Sequence, residues 1–246
     1  MTGPVEPVYR RVLLKLSGEA FGHPGKAGID LEETLVIATQ LKRVVELGVQ
    51  LAIVVGGGNL LRGAQFTAGA ASIINPATAD TMGMLATVMN GLALQETLES
   101  IDIPTRVLSA IKMDTVAEPF IRRRALRHLA KGRVVILAGG TGNPFCTTDS
   151  AAALRGVELG VDVLMKATRV DGVYTEDPEK NPYAVRYDHL TYAKVIEDRL
   201  KVMDLQAFTM CQEANLPILV FDYKKPGAIE QAVCGQGRYT VIRDAN

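Results

Sequence analysis

Leu51-Ala52-Ile53-Val54-Val55-Gly56-Gly57-Gly58-Asn59-Leu60-Leu61-Arg62 is the stretch on which the fold turns. An apolar run enters a row of glycines and then heads toward a cation. A short continuous apolar run ended by glycine reads as a strand buried on both faces. Glycine removes the Cβ that would hold a phosphate away from the backbone. A helix starting near Gly58 would add unpaired N–H groups and a positive dipole end. It would also put Arg62 close to a bound anion, where its guanidinium fork grips two phosphate oxygens; a plain surface arginine is the other reading.

Outward from this turn the alternation of apolar strands and amphipathic helices continues. Residues 11–16 (Arg-Val-Leu-Leu-Lys-Leu) read as a first strand. Residues 30–47 read as a helix: Leu31, Leu35, Ala38, Leu41 and Val45 recur at helical spacing, Asp30 and Glu33 stand as a capping box, and Gly48 is placed to stop it. Residues 82–98 predict a largely buried helix, residues 105–108 a short strand, and residues 118–131 a basic helix with Arg122, Arg123 and Arg124 on a solvated face. Strands follow over 134–138 and 161–165, with a helix over 149–159 between them. In the last third, Asp171-Gly172, Asp177-Pro178 and Asn181-Pro182 mark turns. A helix over 202–215 and strands over 217–221 and 240–243 close the chain. Strands this apolar suit an α/β fold, a three-layer α/β/α sandwich with a mostly parallel central sheet. With no flexible linker and no fixed-period repeat, a single domain over residues 1–246 with two lobes is expected.

Composition excludes several classes. The 27 basic and 27 acidic residues cancel, which argues against nucleic acid as the main partner. Cys146, Cys211 and Cys234 are few, odd in number and far apart; they predict a reduced, cytoplasmic protein. Neither they nor His23, His128 and His189 stand at zinc-ligand spacing, so no structural metal site is expected. The opening Met-Thr-Gly-Pro-Val-Glu-Pro lacks the pattern of a signal peptide, and no uncharged apolar stretch reaches membrane-spanning length.

Four glycine-bearing turns follow apolar strands: Ser17-Gly18, Gly56-Gly57-Gly58, Gly139-Gly140-Thr141-Gly142, and residues 167–172. In open α/β sheets, ligands sit at the carboxyl ends of the strands, so turns sharing one edge would converge on one cleft. Taken singly, each glycine need only permit a tight turn. Lys15 ends the first strand, where an emerging ammonium can bridge the oxygens of a transferring phosphoryl group; a snorkelling lysine is the alternative. Lys166 ends a later strand and is a second candidate clamp. Asp80 is either a helix cap or an acceptor for ribose hydroxyls. Asp149 is either a cap or a carboxylate that arranges magnesium or orients a phosphate-binding group. Phe145 either lines a pocket or fills the core, and residues 171–178 form a hairpin or meet an adenine ring. Walker, Rossmann and protein-kinase motifs are absent, so phosphate chemistry would need another scaffold.

Leu14-Lys15-Leu16-Ser17-Gly18-Glu19-Ala20, Gly56-Gly57-Gly58-Asn59, Met82-Gly83-Met84-Leu85-Ala86-Thr87, Thr141-Gly142-Asn143-Pro144-Phe145, Lys166-Ala167-Thr168-Arg169-Val170-Asp171-Gly172-Val173-Tyr174 and Lys201-Val202-Met203-Asp204 together resemble the bacterial uridylate kinases, a family of amino-acid-kinase fold. The resemblance implies transfer of the ATP γ-phosphate to UMP with Mg²⁺, giving UDP and ADP in pyrimidine nucleotide biosynthesis. It implies ATP contacts at Lys15, Leu16, Ser17, Gly18, Gly58, Arg62, Thr168, Tyr174 and Asp177. The implied UMP contacts are Gly57, Asp80, Thr141, Gly142, Asn143, Pro144, Phe145, Cys146, Thr147 and Thr148. Lys15, Arg62, Asp149 and Lys166 form the expected catalytic set, with an acceptor lobe over residues 8–165 and an ATP lobe over residues 166–246. A homohexamer activated by GTP and inhibited by UTP is implied as well, with Arg106 and Arg133 in the effector site.

Two features depart from the family pattern. Residues 23–28 (His-Pro-Gly-Lys-Ala-Gly) fall in a variable region linked to the GTP response. Glu99 stands where the family has a histidine, and a carboxylate there would repel a triphosphate. Two other readings stay open: a relative of the same fold that makes an acyl or carbamoyl phosphate, and a non-catalytic nucleotide-sensing regulator with DNA binding as a second role.

Overall fold

The computed structural model describes residues 6–23, 25–61, 74–200 and 202–244. Among the described residues, nine strands form one sheet: β1 (Arg11–Leu16), β2 (Gln50–Val55), β3 (Thr105–Ser109), β4 (Glu118–Pro119), β5 (Val134–Ala138), β6 (Val163–Thr168), β9 (His189–Leu190), β10 (Ile218–Asp222) and β11 (Tyr239–Ile242). Their order is β4-β3-β5-β2-β1-β6-β10-β11-β9, and every neighbouring pair is parallel except β10–β11. β7 (Val173–Tyr174) and β8 (Arg186–Tyr187) form a separate antiparallel hairpin.

Pleating sends alternate side chains to opposite faces, and both faces are covered. Val12, Leu14 and Leu16 of β1 join a core under α1 (Leu31–Glu46), α2 (Pro76–Glu99) and α7 (Ala228–Val233). Leu13 joins the opposite core, under α3 (Arg122–Ala130), α4 (Thr148–Leu159), α5 (Tyr192–Glu197) and α6 (Leu205–Glu213). This is the expected three-layer sandwich. The chain passes from β1 to β2 on one side, while β6 takes the other side of β1. The crevice of an open α/β sheet lies where strand order reverses in this way. The turns after β1, β2, β5 and β6 all leave from that carboxyl edge.

Observed elements depart from the expected ones where capping chemistry outweighs the apolar pattern. Asp30 caps α1 by accepting from Glu32 N and Glu33 N, but its own N–H donates to Phe21 O at 2.7 Å, so the reciprocal half of a capping box is not formed. α2 begins at Pro76, behind an Asn75 cap, well before residue 82. Proline is preorganised for a first helical turn, and Asp80 therefore lies inside the helix and does not cap it. The expected basic helix starts only at Arg122, because Glu118–Pro119 pairs with β3 as β4; a residue before proline is pushed out of helical geometry. β6 runs on to Thr168, so Lys166 is within the strand. α6 is shorter than residues 202–215 because Asp204 caps it. Around Gly58 the described residues form a turn, with Leu60 N and Leu61 N donating to Gly57 O. A 3-10 turn (Gly18–Phe21), α5, α7 and β9 carried too short an apolar pattern to be read from sequence.

Candidate active site

Lys15 and Lys166 are register neighbours on adjacent parallel strands. Both ammoniums point toward α4 and meet one carboxylate. Lys15 Nζ lies 2.9 Å from Asp149 Oδ1, and Lys166 Nζ donates to Asp149 Oδ2 at 2.6 Å. Lys166 also donates to the Val202 carbonyl oxygen. Asp149 does not cap α4; Thr147 does, accepting from Asp149 N at 3.0 Å and Ser150 N at 3.2 Å. The carboxylate is thereby free to stand between two like charges in a largely buried site. Burial opposes its ionisation, but the two ammoniums and their hydrogen bonds outweigh that and hold Asp149 below the usual carboxylate range. Lys166 is lowered from an ordinary lysine, first by burial and then by repulsion from Lys15, against the pull of Asp149 and Asp204. The cluster carries two cations against one anion, so it offers a net positive charge to whatever enters.

The glycine turns pack backbone against backbone beside this cluster. A Cβ on Gly18 would come within 2.5 Å of Gly58 N and 2.7 Å of Asn59 Oδ1, and one on Gly56 within 2.6 Å of Gly18 N. Only hydrogen fits at those contacts. Gly58 differs: a Cβ there would meet nothing within 4 Å. Among the described residues, no packing contact requires glycine at 58. Two residues in the apolar pattern of α2 anchor these turns. Thr87 Oγ1 accepts from Gly139 N at 2.8 Å. Asn90, fully buried, donates to Gly56 O at 2.7 Å and pairs reciprocally with Asn59. Sequence reading missed both; polar side chains three apart inside a Met/Ala/Leu-rich helix were the available signal.

A cleft of about 230 Å³ reaches Thr148, the residue just before Asp149 in the chain. Gly57, Asp80, Cys146, Thr147 and Thr148 line it with Gly58 and Thr87, so five of the expected acceptor contacts share one cavity. Asp80 Oδ2 accepts from Phe145 N at 2.8 Å, tying α2 to the loop before α4. Phe145 has a φ of 64°. The residue is 74% exposed, so it does not fill the core. Thr141 Oγ1 accepts from Asn143 N at 3.2 Å and keeps Gly142 and Pro144 in a compact turn at the carboxyl end of β5.

On the other side of β1, Thr168 ends β6, Tyr174 lies on β7, and Asp177 follows it in an exposed turn where it accepts from Glu179 N at 3.0 Å. Tyr174 Oη donates to Asp171 at 2.5 Å. Leu16 is buried and Ser17 caps the 3-10 turn. Arg62 lies outside the described residues. Arg106 and Arg133 sit elsewhere: Arg106 is near the start of β3 and Arg133 just before β5, at the amino edge of the sheet. Arg106 pairs with Glu99 at 2.8 Å and lies 3.9 Å from Glu118, while Arg133 stands 3.1 Å from His128 Nδ1.

No three His, Cys, Asp or Glu side chains gather among the described residues, and both Asp149 oxygens face ammoniums. The residues do not build a carboxylate cage for a hard cation. They suit one that arrives already held by phosphate oxygens. No helix among the described residues is long and apolar enough to cross a membrane.

Residues 10–222 match the model of the amino acid kinase family. The chain is 55% identical over 234 residues to a uridylate kinase from Paramagnetospirillum magneticum, covering 95% of this chain and 96% of that protein. Its fold superposes on a UMP kinase from Bacillus anthracis with a TM-score of 0.92 at 37% identity, covering 97% of each chain. It superposes on a UMP kinase from Ureaplasma parvum with a TM-score of 0.90 at 36% identity, over 96% of this chain and 99% of that one.

Proposed function

The chain belongs to the amino acid kinase family, and we propose that it is a uridylate kinase that moves the γ-phosphate of ATP, carried with Mg²⁺, to UMP. The single observation that supports this reading is that Lys15 and Lys166 share Asp149 in the first turn of α4, the helix whose preceding residues line a cleft with Asp80. UMP occupies that cleft, against Gly57, Asp80 and residues 141–148. ATP lies across the Ser17-Gly18 and Gly58 turns, with Lys15, Leu16 and Arg62 at its phosphates and Thr168, Tyr174 and Asp177 toward its base. The acceptor half is residues 8–165 and the donor half residues 166–246.

In the reaction an oxygen of the UMP phosphate attacks the γ-phosphorus. The new P–O bond forms as the bond to the β,γ-bridging oxygen breaks, and ADP leaves with that electron pair. The attacking group is already an anion, so no general base is needed. Lys15 and Lys166 offset charge on the equatorial and bridging oxygens. Asp149 holds two ammoniums side by side that would otherwise repel, and so aligns them before the substrates arrive. Mg²⁺ bound with the nucleotide would supply further positive charge against the phosphate oxygens, beside the charge of Lys15 and Lys166. Coupled ADP release with ATP and a panel of acceptors tests the assignment. UMP is expected to be turned over in preference to CMP, AMP, GMP, carbamate and amino acids; preference for carbamate or a carboxylic acid would contradict it.

Asp80→Asn is expected to raise the Michaelis constant for UMP about tenfold, the scale of one hydrogen bond to a charged group, and that for ATP less than twofold. Equal changes in both constants would contradict the ribose assignment.

GTP activation, UTP inhibition and a homohexamer complete the proposal. Here Glu99 occupies Arg106 with an ion pair on the edge opposite the cleft. Glu99→Gln is expected to lower the GTP concentration for half-maximal activation roughly fivefold, the scale of one exposed pair. An unchanged titration would take Arg106 out of the effector site.

A further inference from the structure

Asp204 is absorbed by none of the roles above, yet its half-buried carboxylate joins two helix starts at the site. We infer that Asp204 is a positioning residue for phosphoryl transfer, holding the first turn of α4 and the backbone that faces Lys166 in their working arrangement. As the cap of α6 it accepts from Ala207 N at 2.8 Å. A cap requires only that one bond. The same carboxylate also accepts from Thr147 Oγ1 and, at 2.9 Å, from Ser150 Oγ. Thr147 caps α4 and lines the acceptor cleft, while Ser150 is 1% exposed and next to Asp149. One anion therefore locks the amino ends of α4 and α6 together, where both helix dipoles favour negative charge.

The second line runs along the chain. Two residues before Asp204, the Val202 carbonyl accepts from Lys166 Nζ. Lys166 is faced by Asp149 from α4, Lys15 from β1 and Asp204 from the start of α6. Releasing Asp204 frees the Thr147 cap, the Val202 carbonyl and part of the field that keeps Lys166 protonated. A shift of this kind near reacting atoms costs up to about 100-fold in rate without loss of binding energy.

The inference rests on the phosphoryl-transfer reading, so wild-type protein is assayed first with ATP and UMP. If UMP is not the acceptor, the substrate assignment fails. The same variants are then measured with whichever acceptor the wild type turns over. Asp204→Asn retains Oδ1, the oxygen that accepts from Ala207 N and Ser150 Oγ, and removes the charge and the Oδ2 acceptor of Thr147 Oγ1. Its kcat is expected to fall about 10- to 100-fold, with both Michaelis constants within threefold. The alkaline limb of kcat/KM, which reports the free enzyme, is expected to move to lower pH as Lys166 loses its proton more readily. A kcat within threefold of wild type, an unmoved limb, or a loss equal to the unfolded fraction seen by circular dichroism overturns the inference. If Asp204→Asn does not fold, Ser150→Ala decides, because it leaves both caps intact: a threefold or larger fall in kcat supports positioning, and none overturns it.

Discussion

Lys15→Ala is expected to slow turnover about 10³-fold, the scale of a cation that meets transition-state charge in phosphoryl transfer, while the protein stays folded. Charge arithmetic separates the two effects. Removing Lys15 leaves Asp149 paired with Lys166 at 2.6 Å, so no buried charge is stranded. Lys15 is 9% exposed at the carboxyl end of β1, where water can enter the space it vacates. Steady-state kinetics with circular dichroism check both parts. A rate loss under threefold would remove Lys15 from the reaction.

Asp149→Asn is expected to be worse on both counts. It leaves two buried ammoniums facing each other without their anion. Breaking a buried pair in this way costs about 3 kcal/mol of stability, and turnover falls at least 10³-fold because neither ammonium keeps its alignment. The stability loss is expected to be largely reversed by saturating ATP, whose phosphates take the place of the carboxylate. A melting temperature that ATP raises no more in the variant than in wild type would count against the cluster as a phosphate site. pH dependence follows from the same geometry. The folded-state pKa of Asp149 is lowered, so its contribution is present above about pH 4, the range of an unfolded carboxyl, and is lost as pH falls through the folded value. That part of the acid dependence is expected to vanish in the variant.

How far sequence carried the reading differs by element. β1 and β5 were legible to the residue, because a run such as Val-Val-Ile-Leu-Ala flanked by Arg and Gly admits no amphipathic helix. The start of α2 was not, since its first turns are small residues with no apolar stripe and its true signal was Asn75 followed by Pro76. Lys15 and Lys166 stood out as cations in apolar strands. That they share Asp149 depends on β1 and β6 being neighbours, and long-range strand pairing has no local signature. Asp204 read as part of a motif without a role, because its partners Thr147 and Ser150 lie more than fifty positions away. Asp80 was legible as a candidate, but its bond to Phe145 N crosses 65 positions and was not.

On the proposed reading, one cluster at the switch point of the sheet neutralises a phosphoryl group passing between two nucleotides. A crystal structure with UMP and a non-hydrolysable ATP analogue tests it most directly. Expected is a γ-phosphate within hydrogen-bond reach of both Lys15 and Lys166, with UMP in the cleft and its ribose at Asp80. A γ-phosphate bound away from both ammoniums, or UMP in a cavity that does not communicate with them, would contradict it.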